Sequence, residues 1–388
     1  MKPGVRIAFV SAQASTLRAF YLPLLRALNA AGAEVIVVAN GDADLDALER
    51  ASLARVYAVP LLRRISPVLD ARSLRRVVRL FRAERPDIVH SHMAKGGLVG
   101  MSAARLAGVR HRLHTLHGLP LETARGLTRH LLGSAERLTF RLAQRVCVVS
   151  ESLRRRAVEL RLCSADKTLV LGAGTACGLS LERFTPTADV RERGRRKRRE
   201  FDIPVDSLVV GFVGRLVYDK GIHLLVKAFV ELANRRNDLH LLLLGDHESY
   251  RGAVPADAVE TIRRHPRIRH APFDWDPVPY YAAMDVVVLP TYREGWGYTL
   301  LEAAAMGLPV VATRTTGCVD AVRDGETGLL VDVGDVAGLI RSLEQLLRDA
   351  DLRQRLGRAG RQRVEAEFTD QRLVAEHLRL YEELSGLV

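Results

Sequence analysis

Short apolar runs separated by longer amphipathic segments restrict this chain's fold more than any other feature. Residues 5–10 (VRIAFV), 34–39 (EVIVVA), 87–90 (DIVH), 112–115 (RLHT) and 145–149 (RVCVV) read as buried strands. Between them, segments such as 17–31 and 68–85 carry apolar residues at helical spacing. Strands and helices alternating in this way build a parallel sheet covered on both faces. The alternation breaks at 185–200 (TPTADVRERGRRKRRE), which is polar, basic and nearly free of apolar residues. It resumes with strands at 207–213, 239–244, 285–290, 309–313 and 328–331, and with helical patterns at 221–236, 300–306, 335–348 and 351–366. The expected class is α/β, with two doubly wound parallel-sheet domains at 1–190 and 205–366. Residues 191–204 read as a basic linker. An amphipathic helix in 367–388 is expected to pack back on the first domain. Two such units imply a central cleft, and open α/β sheets bind ligands at the carboxyl ends of their strands.

Charge divides along the same line. The 388 residues carry a net charge of +13, of which 1–200 contribute +19 and 201–388 contribute −6. Such asymmetry speaks to partners and not to fold. No stretch approaches the roughly 18 uninterrupted apolar residues of a membrane-spanning helix. The opening KPGVRIAFV reads as a first buried strand and not as a signal peptide. Cys147, Cys163, Cys177 and Cys318 form neither a CxxC pair nor a ligand spacing, so buried thiols in a reducing cytoplasm are expected, without zinc. A nucleic-acid module would need aromatic platforms among the basic runs. Aromatics are 5% of the chain and none is interleaved there, so no nucleic-acid partner is expected.

Three clusters of polar residues fall at strand exits. In Gly214-Arg215-Leu216-Val217-Tyr218-Asp219-Lys220-Gly221, two cations five apart lie between a strand and a helix start. Helix N-termini favour anions, and Arg215 with Lys220 would suit a diphosphate. In Glu294-Gly295-Trp296-Gly297-Tyr298, one carboxylate leaves a strand, and two glycines let backbone N–H groups approach a ligand. A second carboxylate, Glu302, follows about one helical turn in. The third cluster lies in the basic half: His90-Ser91-His92-Met93-Ala94-Lys95-Gly96-Gly97, with His114 and His117-Gly118 after the next strand.

These motifs resemble those of glycosyltransferase family 4, retaining nucleotide-sugar transferases of the GT-B fold. The Glu294-x7-Glu302 element with Ala303 to Thr313, and Gly325 to Val331, carry the likeness in the second half. The first half resembles the branch that acts on lipid-linked bacterial saccharides, through His90 to Gly97, His117-Gly118, Val149-Ser150-Glu151 and Gly172 to Phe184. The resemblance implies two Rossmann-like domains. It implies that Arg215 and Lys220 hold the donor diphosphate, that Glu302 binds ribose, and that Glu294 contacts the transferred hexose. Gly295, Trp296 and Gly297 would orient the donor through backbone N–H groups. His117 would lie beside the reacting sugar, with His90, His92 and Lys95 on the acceptor side. No cofactor or metal is expected, and Asp274-Trp275-Asp276 reads as a solvated loop despite its DxD pattern. Gly245-Asp246-His247-Glu248 lacks a second glycine, Pro272 stands in place of a glycine, and Cys177 in place of an asparagine. These departures leave the nucleotide base and an acceptor-side contact open.

The implied reaction moves a hexose or N-acetylhexosamine, from a UDP-sugar first and a GDP-sugar second, to a polyprenyl-diphosphate-linked saccharide. A GT-B epimerase is the alternative. Retention by front-face attack fits a site whose one candidate nucleophile is Glu294. The segment from Leu61 to Arg85 sets Leu74, Val77, Val78 and Phe81 against Arg72, Arg75, Arg76, Arg79 and Arg82, and Arg191–Arg199 adds further cations. A basic amphipathic helix of this kind lies readily on anionic lipid, so peripheral docking on the cytoplasmic membrane face is expected.

Overall fold

The computed structural model describes residues 3–62, 66–248 and 252–385. Among them the chain forms two α/β units, one reaching to Gly178 and taking up the chain again from Asp370, the other Leu179–Thr369. In the first unit the strands are β1 (Arg6–Ser11), β2 (Glu34–Ala39), β3 (Arg55–Ala58), β4 (Ile88–His92), β5 (His111–Leu116), β6 (Arg145–Val148) and β7 (Thr168–Leu169). They pair in parallel in the order β3-β2-β1-β4-β5-β6-β7. Helices α1 (Ala14–Phe20), α2 (Leu22–Ala30), α3 (Ala43–Arg50), α4 (Pro67–Glu84), α5 (Met93–Leu106), α6 (Gly126–Leu142) and α7 (Glu151–Glu159) connect them.

The second unit opens with α8 (Ala188–Glu200) and runs β8 (Leu208–Val213), α9 (Ile222–Ala233), β9 (Leu239–Leu244), α10 (Ala256–Arg264), β10 (Ile268–Ala271), α11 (Val278–Ala283) and β11 (Val286–Leu289). It continues with α12 (Tyr298–Ala305), β12 (Val310–Thr313), α13 (Cys318–Ala321), β13 (Leu329–Val331), α14 (Val336–Arg348) and α15 (Ala350–Glu367). Its parallel sheet has the order β10-β9-β8-β11-β12-β13. The final helix, α16 (Asp370–Ser385), belongs to the first unit, where it packs on α2.

Both sheets are covered on two faces, which is why their strands are continuous apolar runs. Ile7, Phe9, Ile36, Val89 and Val146 are wholly buried in the first, and Val209, Leu241, Leu243 and Val287 in the second. Burying each such side chain contributes about 1.5–3 kcal/mol. The order of each sheet reverses once, between β1 and β4 in the first and between β8 and β11 in the second. Ligand sites in open parallel sheets form at such reversals.

Three expectations need correcting. The helix read over 17–31 is two helices, because Pro23 cannot donate to the preceding turn and restarts the chain at α2. Tyr21, at the break, is turned fully inward. The segment read as a basic linker is helix α8, capped by the Thr187 hydroxyl and fixed to the second unit. Arg198 donates to the carbonyls of Ala283 and Ser207 and pairs with Asp285 at 2.8 Å. Lys197 lies over the Tyr280 ring, 4.5 Å from its centroid. Charges that looked idle in the sequence therefore anchor a helix. Reassigned by unit, the first carries 30 basic and 17 acidic residues and the second 28 of each, so the whole excess of +13 belongs to the first.

The third concerns the stripe on α4. Val77, Val78 and Phe81 are buried in the core, so the face expected to lie on lipid is unavailable to it. Arg63, Arg64 and Ile65, read as part of that segment, lie outside the described residues.

The role of Arg198 gives a direct test. Arg198→Ala leaves the Asp285 carboxylate and the Ala283, Val205 and Ser207 carbonyls without their guanidinium, and is expected to cost about 2–4 kcal/mol. Urea unfolding should show a lower midpoint at unchanged slope.

Candidate active site

In the second unit, the loops leaving β8 and β11 meet at the sheet's reversal. Gly221 adopts φ +67° at the start of α9, and a Cβ built there would stand 1.9 Å from the carbonyl oxygen of Pro290. Only glycine admits this approach. Asp219 stitches the loops together. Its carbonyl accepts from the Tyr292 N–H (2.8 Å) and the Thr291 hydroxyl (3.0 Å), and its carboxylate pairs with Arg293 (3.0 Å).

This seam brings together residues 74 apart in sequence. Lys220 and Glu294 form an ion pair, each with a side chain about four-fifths buried. Glu294 also accepts from the N–H of Gly295 at 3.2 Å. Arg215 pairs with Glu248 at 2.8 Å. The two expected diphosphate cations are thus held in place by carboxylates, Lys220 by the very residue expected to contact the sugar.

The Gly295-Trp296-Gly297 turn leads into α12, whose N-terminus has no side-chain cap. Thr299, in its first turn, donates to the carbonyl of Val213 at 2.9 Å and ties the helix to the end of β8. The Trp296 side chain packs inward. It is 2% exposed, its ring lies 5.1 Å from that of Phe368, and its indole N–H is buried with no hydrogen-bond partner among the described residues. It anchors the turn from below, leaving only its backbone for a ligand.

Glu302 lies one turn into α12 and accepts from the Tyr281 hydroxyl at 2.7 Å. The surrounding protein pushes its carboxyl up to about 7, held from rising further by the Tyr281 hydrogen bond and by Arg183. Sequence reading missed Tyr281, and also a stack of three rings beside the seam. Tyr218 lies 4.4 Å from His223 and 5.3 Å from Tyr292, within 16° of parallel to each. No local pattern signals a stack assembled from two loops. Asp274-Trp275-Asp276 is not simply solvated: Asp276 is paired by Arg193 and Arg183. Among the described residues no group of three or more His, Cys, Asp or Glu could hold a metal ion.

In the first unit the histidines form one network at the ends of β4 and β5. His90 is fully buried, with Nδ1 bonded to the Tyr381 hydroxyl of α16 (2.7 Å) and Nε2 to Thr115 (2.6 Å). Ser91 meets His114 at 2.9 Å. His92 is fully buried, stacked over Phe9, and its Nδ1 faces Nε2 of His117 at 3.4 Å. Tyr21 reaches the same nitrogen of His117 at 3.3 Å. Lys95 pairs with Asp70 at 2.5 Å. Gly96 and Gly97 let α5 press onto the sheet, since a Cβ on Gly97 would stand 2.6 Å from the His114 ring. His90, His92 and Lys95 therefore do not offer free groups to an acceptor: two are interior and the third is paired. Only His117, half-buried, keeps an outward edge.

Residues 194–363 match the family described as Glycosyl transferases group 1, and residues 17–174 the Glycosyl transferase 4-like domain. The chain is 33% identical over 325 residues, 84% of each chain, to the Staphylococcus aureus capsular polysaccharide biosynthesis glycosyltransferase CapM. This chain belongs to the group 1 glycosyl transferases. Another relative, a D-inositol 3-phosphate glycosyltransferase of Corynebacterium jeikeium, is 31% identical over 77% of this chain and 72% of its own. Among solved structures, a glycosyltransferase from Rickettsia africae superposes with a TM-score of 0.80 at 18% identity, covering 99% of both chains. Anabaena HepE, in complex with UDP and glucose, superposes with a TM-score of 0.80 at 19% identity over 99% of this chain and 100% of its own. This group 1 glycosyl transferase accordingly has the GT-B fold, with its two parallel-sheet units.

The histidine network has a pH signature. Burial lowers His114 and His117 to about 3 and His377 to about 4, and pushes His90 and His92 well down. All five are neutral at pH 7 and gain protons only on unfolding. The unfolded state then binds more protons below about pH 6.5, so stability falls as the medium is acidified from there toward pH 4. Each histidine contributes a slope of about 1.4 kcal/mol per pH unit within that window. Unfolding free energies from pH 7 to 5 should show this loss, and His377→Gln should reduce the slope by about one proton.

Proposed function

We propose that this protein is a retaining, metal-independent glycosyltransferase. It moves a hexose or N-acetylhexosamine from a UDP-sugar to a lipid-linked saccharide in polysaccharide assembly. The observation that carries this reading is the Lys220–Glu294 pair at the β8/β11 reversal, with Glu302 one turn into the adjoining helix. The polysaccharide context is supported by CapM, similar over most of both chains and named for capsular polysaccharide biosynthesis. UDP is favoured over GDP because HepE, which shares the fold, has been solved with UDP and glucose.

In this scheme the donor diphosphate lies against Lys220 and Arg215. Its charge draws Lys220 from Glu294, and Glu294 turns its acceptor oxygens to the hexose hydroxyls. Glu302 accepts hydrogen bonds from the ribose diol. The bond from C1 to the leaving phosphate oxygen breaks, and C1 bonds to the acceptor oxygen on the same face. The acceptor proton passes to the leaving phosphate, and UDP departs. The two cations offset the charge that grows on UDP as the sugar becomes oxocarbenium-like. His117, neutral at physiological pH, orients the sugar by hydrogen bonding. The +13 excess of the first unit supports peripheral attachment to the anionic cytoplasmic face of a membrane. No helix among the described residues is long and apolar enough to cross one.

A second acceptor, a soluble inositol phosphate, is favoured by the similarity to the D-inositol 3-phosphate glycosyltransferases. Thermal-shift screening of UDP- and GDP-sugars, followed by transfer to a lipid-linked saccharide and to inositol 3-phosphate, separates these readings. Lys220→Ala and Glu294→Ala are each expected to lower kcat/KM on the order of 100-fold or more. Near wild-type turnover in both variants would overturn the site assignment.

Glu302 adds a pH dependence. Its carboxyl, at about 7 without ligand, must be ionised to accept two hydroxyl donors. Donor affinity should therefore rise as pH increases from 6 to 8, and Glu302→Gln should bind weakly with that dependence removed.

A further inference from the structure

The two loops that carry Lys220 and Glu294 also build a flat aromatic surface. The rings of His223 and Tyr292 are within 10° of parallel, and Nε2 of His223 meets the Tyr292 hydroxyl at 3.1 Å, so the two are joined at their edges. Tyr218 lies over both, 4.4 Å and 5.3 Å from their centroids. Burial and a hydrogen bond with Tyr218 push the Tyr292 hydroxyl up to about 12, and burial lowers His223, so the pair beneath carries no charge at pH 7. The Tyr218 backbone is fixed as well. Its N–H donates to the carbonyl of Gly252 (2.9 Å), and its carbonyl accepts from the N–H of Gly221 (2.8 Å). Tyr218 is nevertheless 43% exposed. With one face laid on His223 and Tyr292, its exposure falls on the opposite face and the edges. A surface side chain held in this way has already lost its rotamer freedom, so a ligand that stacks on it has less ordering left to offset.

We propose that Tyr218 is a stacking platform for a pyranose ring of the acceptor saccharide. A glycosyl transferase handles sugars. One face of a pyranose is a patch of C–H groups that gains from an apolar, uncharged partner, while the hydroxyls at its rim stay in water. A phosphate gains little here, since the cations of these loops, Lys220 and Arg293, are paired by Glu294 and Asp219. A nucleobase would also stack, but the nucleoside side is marked elsewhere. Glu302 is bonded to Tyr281 and feels the charge of Arg183, which donates to the carbonyl of Trp275. Phe273 and Trp275 are the other two exposed aromatic side chains among the described residues. Their rings meet at 81° and present no common face. Tyr218 and Tyr292 precede Lys220 and Glu294 by two positions each, whereas Glu302 follows them into α12. In the donor pose proposed above, the platform therefore lies off the hexose end, where the next ring belongs to the acceptor. His90, His92 and Lys95 are committed within the first unit, so the acceptor needs contacts of this kind. The choice of acceptor over donor sugar rests on that pose, and saccharide stacking itself is read without it.

The experiment is saturation-transfer NMR on the full chain, with saturating UDP and a panel of methyl glycosides and disaccharides of the gluco, galacto, manno and N-acetylgluco series. In the wild type at least one saccharide should take up saturation, most strongly at ring C–H protons that share one face. Tyr218→Ala and Tyr218→Leu should each weaken that binding about tenfold, the second because bulk without a flat ring does not stack. Tyr218→Phe should retain it. Matching thermal melts for Tyr218→Leu and Tyr218→Phe keep a loss in the first from being a loss of fold. No saccharide saturated by the wild type, or saturation unchanged in Tyr218→Ala, would overturn the proposal. UDP affinity, measured by calorimetry, should be the same in Tyr218→Ala and the wild type. A tenfold loss there would assign the ring to the base and overturn it too. In turnover of a UDP-sugar with a lipid-linked saccharide, Tyr218→Ala should raise the KM of the saccharide about tenfold and spare that of the UDP-sugar, and the reverse would place the donor hexose on the ring instead. Saccharide binding lost in Tyr218→Ala, with no transfer by the wild type to any lipid-linked saccharide, would fault the proposed function and leave the platform standing.

Discussion

The candidate site depends on a single adjacency, that of β8 and β11 at the reversal of the second sheet. Because these strands are neighbours and parallel, both chains leave the sheet at the same edge and both must turn there. Gly221 closes one turn against Pro290 of the other, and Asp219 ties them through its carbonyl and carboxylate. Lys220 and Glu294, set a residue or two beyond these contacts, have little choice but to meet. Neither charge is well solvated, and each offsets the other's desolvation. A nucleotide diphosphate that takes over Lys220 would leave Glu294 to find new donors, and sugar hydroxyls supply them. The resting ion pair and the proposed catalytic arrangement are two uses of the same loops.

The first unit solves the same problem of polar groups at strand ends without charge. Five of its histidines, His90, His92, His114, His117 and His377, are kept neutral and bonded to tyrosine, serine and threonine hydroxyls, to one another or, for His377, to the Leu373 carbonyl. Tyr381 and His377 bring α16 into this network, so the last helix of the chain is fastened to the centre of the first unit. Such a network fixes geometry and responds to acid, whereas the ion pair in the second unit responds to a competing anion. A neutral hydrogen-bonding network suits sugar hydroxyls, and a cation in a displaceable ion pair suits a diphosphate.

Much of this was legible in the sequence, and the exceptions have physical reasons. Ten strands were visible because most are continuous apolar runs, β4 and β5 carrying histidines among their apolar residues. β3, β7 and β10 were not, since they lie at sheet edges, are two to four residues long and include polar residues. Lys220, Glu294 and Glu302 could be singled out as candidates because glycine turns and helix starts mark them locally. Glu248, Tyr281 and the ring stack were not, since they are joined to the site only through the fold. His90 and His92 look functional by residue type, yet burial assigns them to the interior. The basic run at 191–199 resembled a linker because two of its partners, the Ala283 carbonyl and Asp285, are more than 80 residues away. The stripe on α4 shows the same limit: amphipathicity tells that a helix has an apolar face, and only the fold tells whether the core has already covered it.

The central claim is that Lys220 exchanges Glu294 for a donor diphosphate. Isothermal titration of UDP into the wild type, Glu294→Gln and Lys220→Met measures this directly, without chemistry and without an acceptor. The account predicts that Glu294→Gln binds UDP as tightly as the wild type or more tightly, since a competing anion is gone. It predicts that Lys220→Met binds about tenfold or more weakly, as loss of a charged hydrogen bond would give. UDP affinity unchanged in Lys220→Met would contradict it.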